Sequence, residues 1–264
     1  MNETLLRPGF DTWYGLDRVL EGPRSLVGVF VGLAIGWWIY VPLHELLHAF
    51  ACLAAGGEVT RLEVQPLYGG HVLAAIFPWV VAGGEYAGRL AGFDTKGCDL
   101  IYLATDFGPF IMTLFPGVWA LRRAVAKASP FFYGASLPFA LAPFLSLTGD
   151  AYEIGSILVT RLGPWRERME LRGDDAILWV ETHASVSGAP WGGFILALVI
   201  ALVWAWATYA LAALVAKRLG APAITPRPSA GSDTAVSEAS GPEASGPDAP
   251  GAAAPSTETP STES

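Results

Sequence analysis

The chain has 264 residues, of which 52% are hydrophobic and only 15% charged, with 10 tryptophans and a mean hydropathy of +0.42. Water-soluble domains carry about a quarter charged residues, so this composition excludes an ordinary globular protein and points to a chain solvated largely by lipid. A net charge of −8, from 16 Lys+Arg against 24 Asp+Glu, argues against a nucleic-acid partner, and 2 cysteines cannot form a disulfide framework.

Taken in order, residues 1–24 mix Arg7, Asp11, Asp17, Arg18, Glu21 and Arg24 with Trp13 and Tyr14, which suits a short segment lying at a bilayer surface. The first apolar run, 25–55, is interrupted only by His44, Glu45 and His48, and its length and position do not fit a cleavable signal peptide. As helix it extends roughly 46 Å against a hydrocarbon core of ~30 Å, so it must tilt, kink at Pro42 or protrude. In 58–65, Val59, Leu62 and Val64 alternate with Arg61, Glu63 and Gln65, a period near two that predicts a strand. Pro66-Leu67-Tyr68-Gly69-Gly70 supplies turn chemistry, and 71–76 is expected to return as a second strand, making a hairpin followed by re-entrant or interfacial chain.

Three further apolar runs follow: 100–121, which contains Asp106; 131–148, which ends just before Asp150; and 191–216, which Lys217-Arg218 stops. Residues 161–181, rich in Arg, Glu and Asp with Trp165 and Trp179, read as a solvated helix beside the membrane. From 220 onward the chain is Ala, Pro, Ser, Gly, Thr and Glu without an aromatic residue, so it is expected to be disordered. The fold class is thus an α-helical integral membrane protein. It has about four spans, a small β-hairpin or re-entrant segment after the first, an N-terminal interfacial segment at 1–24, an embedded domain at 25–219 and a tail at 220–264. The expected location is the cell membrane, as a multi-pass protein. Arg122, Arg123, Lys127, Lys217 and Arg218 mark the N-terminal side as cytoplasmic, whereas Arg161, Arg166, Arg168 and Arg172 oppose it, so the sequence fixes no orientation.

The chemistry concentrates in His44-Glu45-Leu46-Leu47-His48. Residues four apart in a helix stand one above the other, so both imidazoles can ligate one Zn²⁺ while Glu45 faces a water on that metal as general base. Each ionisable group inside a membrane costs at least ~2 kcal/mol unless it finds a partner, which makes three within five residues a costly accident. The bland alternative is a pair of structural histidines bonded to nearby carbonyls. A catalytic zinc takes three protein ligands, and the candidates for the third are Asp150, Glu153, Asp106 and His71. If 57–98 does not cross the bilayer, the first and third spans run parallel and their ends, carrying His48 and Asp150, emerge at one face. Asp106 lies about two turns into the second span from that face. Asp150 is preferred because Gly149 beside it leaves room for close approach.

The run HELLHAFACLAAGGEVTRLEVQPLYGG resembles the site-2 protease family of intramembrane zinc metalloproteases, in which HExxH on a membrane helix precedes a short sheet and a Gly-Gly turn. The likeness is specific over 40–71. Asp106-Phe107-Gly108-Pro109 resembles the Gly-Pro element of that family's next helix, and Asp150 falls where the family places its aspartate ligand, although Gly149 precedes it here and no Asn-Pro element is present. The resemblance implies a zinc metalloendopeptidase that cuts transmembrane protein substrates within the lipid bilayer, with His44, His48 and Asp150 as ligands and Glu45 as base. The hairpin edge is expected to hold an unwound substrate by adding it as a strand. The rival readings are a proteolytically silent relative that binds membrane helices as a chaperone or sequestering factor, against which the intact Glu45 argues, and a metal-handling protein, for which only one ligand set is visible. Cys52, one turn after His48, reads as packing. The sequence gives no oligomeric state.

Overall fold

The computed structural model describes residues 7–173 and 175–226. Helix α1 is Arg7–Val19 and α2 is Pro23–Ala54; a three-residue gap separates them. Strand β1 (Glu58–Val64) is followed by a 3-10 turn at Pro66–Tyr68, helix α3 (Gly70–Ile76), and strands β2 (Val80–Ala82) and β3 (Gly88–Asp94). The remaining helices are α4 (Asp99–Phe107), α5 (Val118–Ala126), α6 (Pro130–Ala140), α7 (Ala142–Leu145), α8 (Asp150–Thr160), α9 (Ala176–His183) and α10 (Trp191–Arg218).

Three stretches are long and apolar enough to cross a membrane: Pro23–Ala54, Asp99–Ala126 and Trp191–Arg218. The third expected span, 131–148, does not form one continuous helix. Proline has no N–H to give the carbonyl four residues back, and Pro143 follows the break between α6 and α7 at Leu141. The Phe139 carbonyl that Pro143 leaves without a helical donor instead accepts from the Thr113 hydroxyl at 2.8 Å. The chain bends again through 146–149 before α8 begins at Asp150. The second span is itself irregular, with Phe115 extended at φ −161° and ψ 132° ahead of Pro116.

The strand at 58–65 is present as β1, but 71–76 is helix rather than a second strand. Gly69, at φ +82°, turns the chain out of the 3-10 turn, and the Leu-Ala-Ala run that follows lacks the alternation a half-buried strand needs. The partners of β1 are therefore β2, in parallel, and β3, antiparallel, giving the order β2-β1-β3. The apolar positions Val59 and Leu62 are three apart, one residue out of period two. The β1/β3 register is irregular between Val59 and Leu62, a bulge that returns Leu62 and Val64 to the buried face. Those two pack with Val80 against Leu46 of α2, so the sheet is seated on the helix carrying the histidines.

The turn at 66–69 reaches far back along α2, since the Leu67 carbonyl accepts from Trp38 Nε1 at 2.6 Å. Trp38 is about 24 Å along the axis from the Ala54 end of the helix, the excursion a re-entrant segment makes. Elsewhere the bundle closes by backbone contact. A Cβ at Gly32 would lie 2.0 Å from the Phe131 carbonyl oxygen, and one at Gly134 2.0 Å from that of Val29, so α2 and α6 approach as only small residues allow. Helix α1 is tied down by a buried ion pair, Arg122 to Asp11 at 2.8 Å, to which Tyr209 of α10 adds a hydrogen bond. The first tail residues also dock on the core: Ala221 and Ile224 are buried and Arg18 bonds the Thr225 hydroxyl. The expectation of disorder from 227 onward lies outside the described residues.

Candidate metal centre

Helix α2 presents His44 and His48 one turn apart on the face toward α8, with the rings edge to face and centroids 4.8 Å apart. The start of α8 brings Asp150 against both. His44 Nε2 lies 3.2 Å from one carboxylate oxygen, Oδ2, His48 Nε2 lies 3.4 Å from the other, Oδ1, and the two Nε2 atoms are 3.2 Å apart. Three donor atoms on tetrahedral corners with ~2.0–2.1 Å bonds are separated by about 3.3–3.4 Å, so the spacing fits a small divalent cation. The donor chemistry fits as well. A carbonyl only accepts, so His48 Nδ1, 2.8 Å from the Thr105 oxygen, carries a proton, and the neutral ring then offers its Nε2 lone pair to a metal. A proton or a metal ion between the imidazole nitrogen and the carboxylate satisfies both. At His44, Nδ1 lies 2.8 Å from the Tyr40 hydroxyl, which can donate or accept, and the Ser146 hydroxyl donates to Asp150 Oδ2.

Glu45 is held separately. The Leu90 backbone N–H of β3 lies near its carboxylate, and Gly88 provides the clearance, since a Cβ there would sit 2.4 Å from Glu45 Cγ. Gly88→Ala is therefore expected to displace the Glu45 carboxylate while His44, His48 and Asp150 keep their places, which a structure of the variant checks.

His44, Glu45, His48 and Asp150 open onto one cavity of about 460 Å³, walled by Tyr86, Arg89, Leu90 and Phe93 on the sheet side and by Ile177, Leu178 and Glu181 of α9 opposite. Asp106 and Glu153 line the same cavity, but the group able to hold a metal among the described residues is His44, His48 and Asp150. His71 is exposed on α3. Cys52 is fully buried with its Sγ 3.7 Å from the Glu58 carbonyl oxygen, a packing position.

The Gly108-Pro109 element has a clear packing use. A Cβ at Gly108 would lie 2.4 Å from the Leu47 carbonyl oxygen, and that close approach lets α4 bring the Thr105 carbonyl to His48. The sequence reading passed over Tyr40 and Ser146, although each stands four residues before a ligand candidate on the same helical face or turn. It also passed over β3, whose two glycines and weak alternation hide it. Both edges of β1 are occupied, so the strand edge available beside the cavity belongs to β3, not to a 58–76 hairpin. No family model matches this chain, and no curated protein or solved structure matches it at a significant level.

Proposed function

We propose that this protein is an intramembrane zinc metalloprotease of the site-2 type, with His44, His48 and Asp150 as metal ligands and Glu45 as general base. The observation that carries the reading is the convergence of two imidazole Nε2 atoms and a carboxylate at 3.2–3.4 Å, beside a second, independently held carboxylate, on a helix apolar enough to cross a membrane. Zinc bound there would lower the pKa of a coordinated water toward ~7 and polarise the scissile carbonyl.

The chain's own groups supply the rest. Glu45 takes a proton from the attacking water and delivers it to the leaving amine nitrogen. The amides of a transmembrane substrate are bonded within their own helix, so the substrate has to unwind before attack. The edge of β3 runs along the cavity and offers backbone groups to the unwound segment. Ile177 and Leu178 are more than half exposed and give the opposite wall an apolar surface. The partners are thus a membrane-spanning protein substrate and the lipid bilayer of the cell membrane, with no part for nucleic acid.

The test is cleavage of a panel of single-span substrates by the full chain reconstituted in liposomes. Cleavage should disappear on chelation and return with added zinc. Zinc binding with no substrate cut would remove the protease reading in favour of a silent binder of membrane helices.

A further inference from the structure

This inference rests on the metal-centre reading and concerns the partner of His44 Nδ1 within it. Tyr40 lies one turn before His44 on the same face of α2, only 5% exposed, and is not among the cavity-lining residues. Its ring is wedged between Trp37, with centroids 5.5 Å apart, and Phe139, edge to face at 5.7 Å. Its hydroxyl is 2.8 Å from His44 Nδ1. For His44 to ligate through Nε2, Nδ1 must carry the ring proton, and that N–H needs an acceptor because a buried donor left unbonded costs about 1–3 kcal/mol. His48 solves this with the Thr105 backbone carbonyl, which no side-chain replacement can remove. For His44 the group in reach is the phenol oxygen of Tyr40.

We propose that Tyr40 is a positioning residue of the metal centre: its hydroxyl accepts the His44 Nδ1–H, fixing the tautomer and ring rotation that aim Nε2 at the space shared with His48 and Asp150. Its aromatic neighbours hold the phenol in place, so the acceptor is preset before a metal arrives. The tyrosine touches neither metal nor substrate, and its effect appears first in metal affinity. Losing an outer partner of a ligating histidine typically weakens binding by about 10–100-fold.

The experiment compares the full chain, Tyr40→Phe and Phe139→Leu in detergent. Zinc affinity is measured by competition with a chromogenic chelator, the visible spectrum after Co²⁺ substitution is recorded, and the metal-free melting temperature serves as a fold check. Tyr40→Phe should bind zinc about 10–100-fold more weakly and shift the Co²⁺ bands, with only a small drop in its metal-free melting temperature. Phe139→Leu removes one ring contact but leaves Trp37 and the hydrogen bond, and should stay much closer to wild-type zinc affinity than Tyr40→Phe. Wild-type affinity in Tyr40→Phe overturns the proposal, as does an equal loss in Phe139→Leu, which would make the role one of packing. A wild-type chain without saturable zinc binding overturns it together with the metal centre. A chain that binds zinc but cuts nothing removes the protease function and leaves the role of Tyr40 standing.

Discussion

Glu45→Gln should reduce turnover by about 10²–10⁴-fold while zinc stays at the wild-type stoichiometry. The amide keeps the volume and one oxygen of the carboxylate, so it can still lie beside Gly88. What it loses is the basic oxygen that takes the proton of the attacking water. Because Glu45 is outside the converging group of His44, His48 and Asp150, its replacement leaves all three ligands in place. Metal analysis on the purified variant and a cleavage assay over a long time course check the two halves. Equal turnover in the variant would contradict the role given to Glu45, and zinc lost along with activity would move Glu45 into the ligand set.

Asp150→Asn is expected to have the other large effect, and on a different observable. The carboxylate spans both histidines, one oxygen toward each Nε2, and replacing it with a neutral amide removes the one formal negative charge in the ligand set. Zinc affinity should drop by more than the ~10–100-fold that follows loss of an outer partner, and activity should drop with it. Asp106→Asn serves as the comparison. Asp106 lines the same cavity from α4 but is not in the ligand group, so this variant should retain zinc. Chelator competition on the two variants decides between the carboxylates.

The ligand pair was legible because the helical repeat alone stacks residues 44 and 48, and no packing detail is needed to see it. The pairing with Asp150 followed from a coarser inference, that the segment after the first span does not cross the bilayer. The Leu67 carbonyl bonds Trp38, so this segment folds back along α2. Less could be read where tertiary contact overrides local pattern. The apolar stretch 131–148 has the composition of a span, yet Pro143 and the bend before Asp150 divide it, and that bend is what sets the start of α8 against the histidines. The second strand was misplaced because 71–76 is apolar throughout and carries no period. The true partner, β3, contains Gly88 and Gly92, which weaken any strand signal while providing clearance for Glu45 and Thr60. Tyr40 shows the same limit from the other side: a tyrosine in an apolar helix looks like packing until its hydroxyl is seen against an imidazole nitrogen.

The most direct test of the account is X-ray absorption at the zinc edge, or anomalous diffraction, on the zinc-loaded full chain. The account predicts one zinc per chain, bonded at ~2.0–2.2 Å to Nε2 of His44, Nε2 of His48 and a carboxylate oxygen of Asp150, with no bond to Asp106. Zinc found elsewhere, or a shell lacking either histidine, would contradict it.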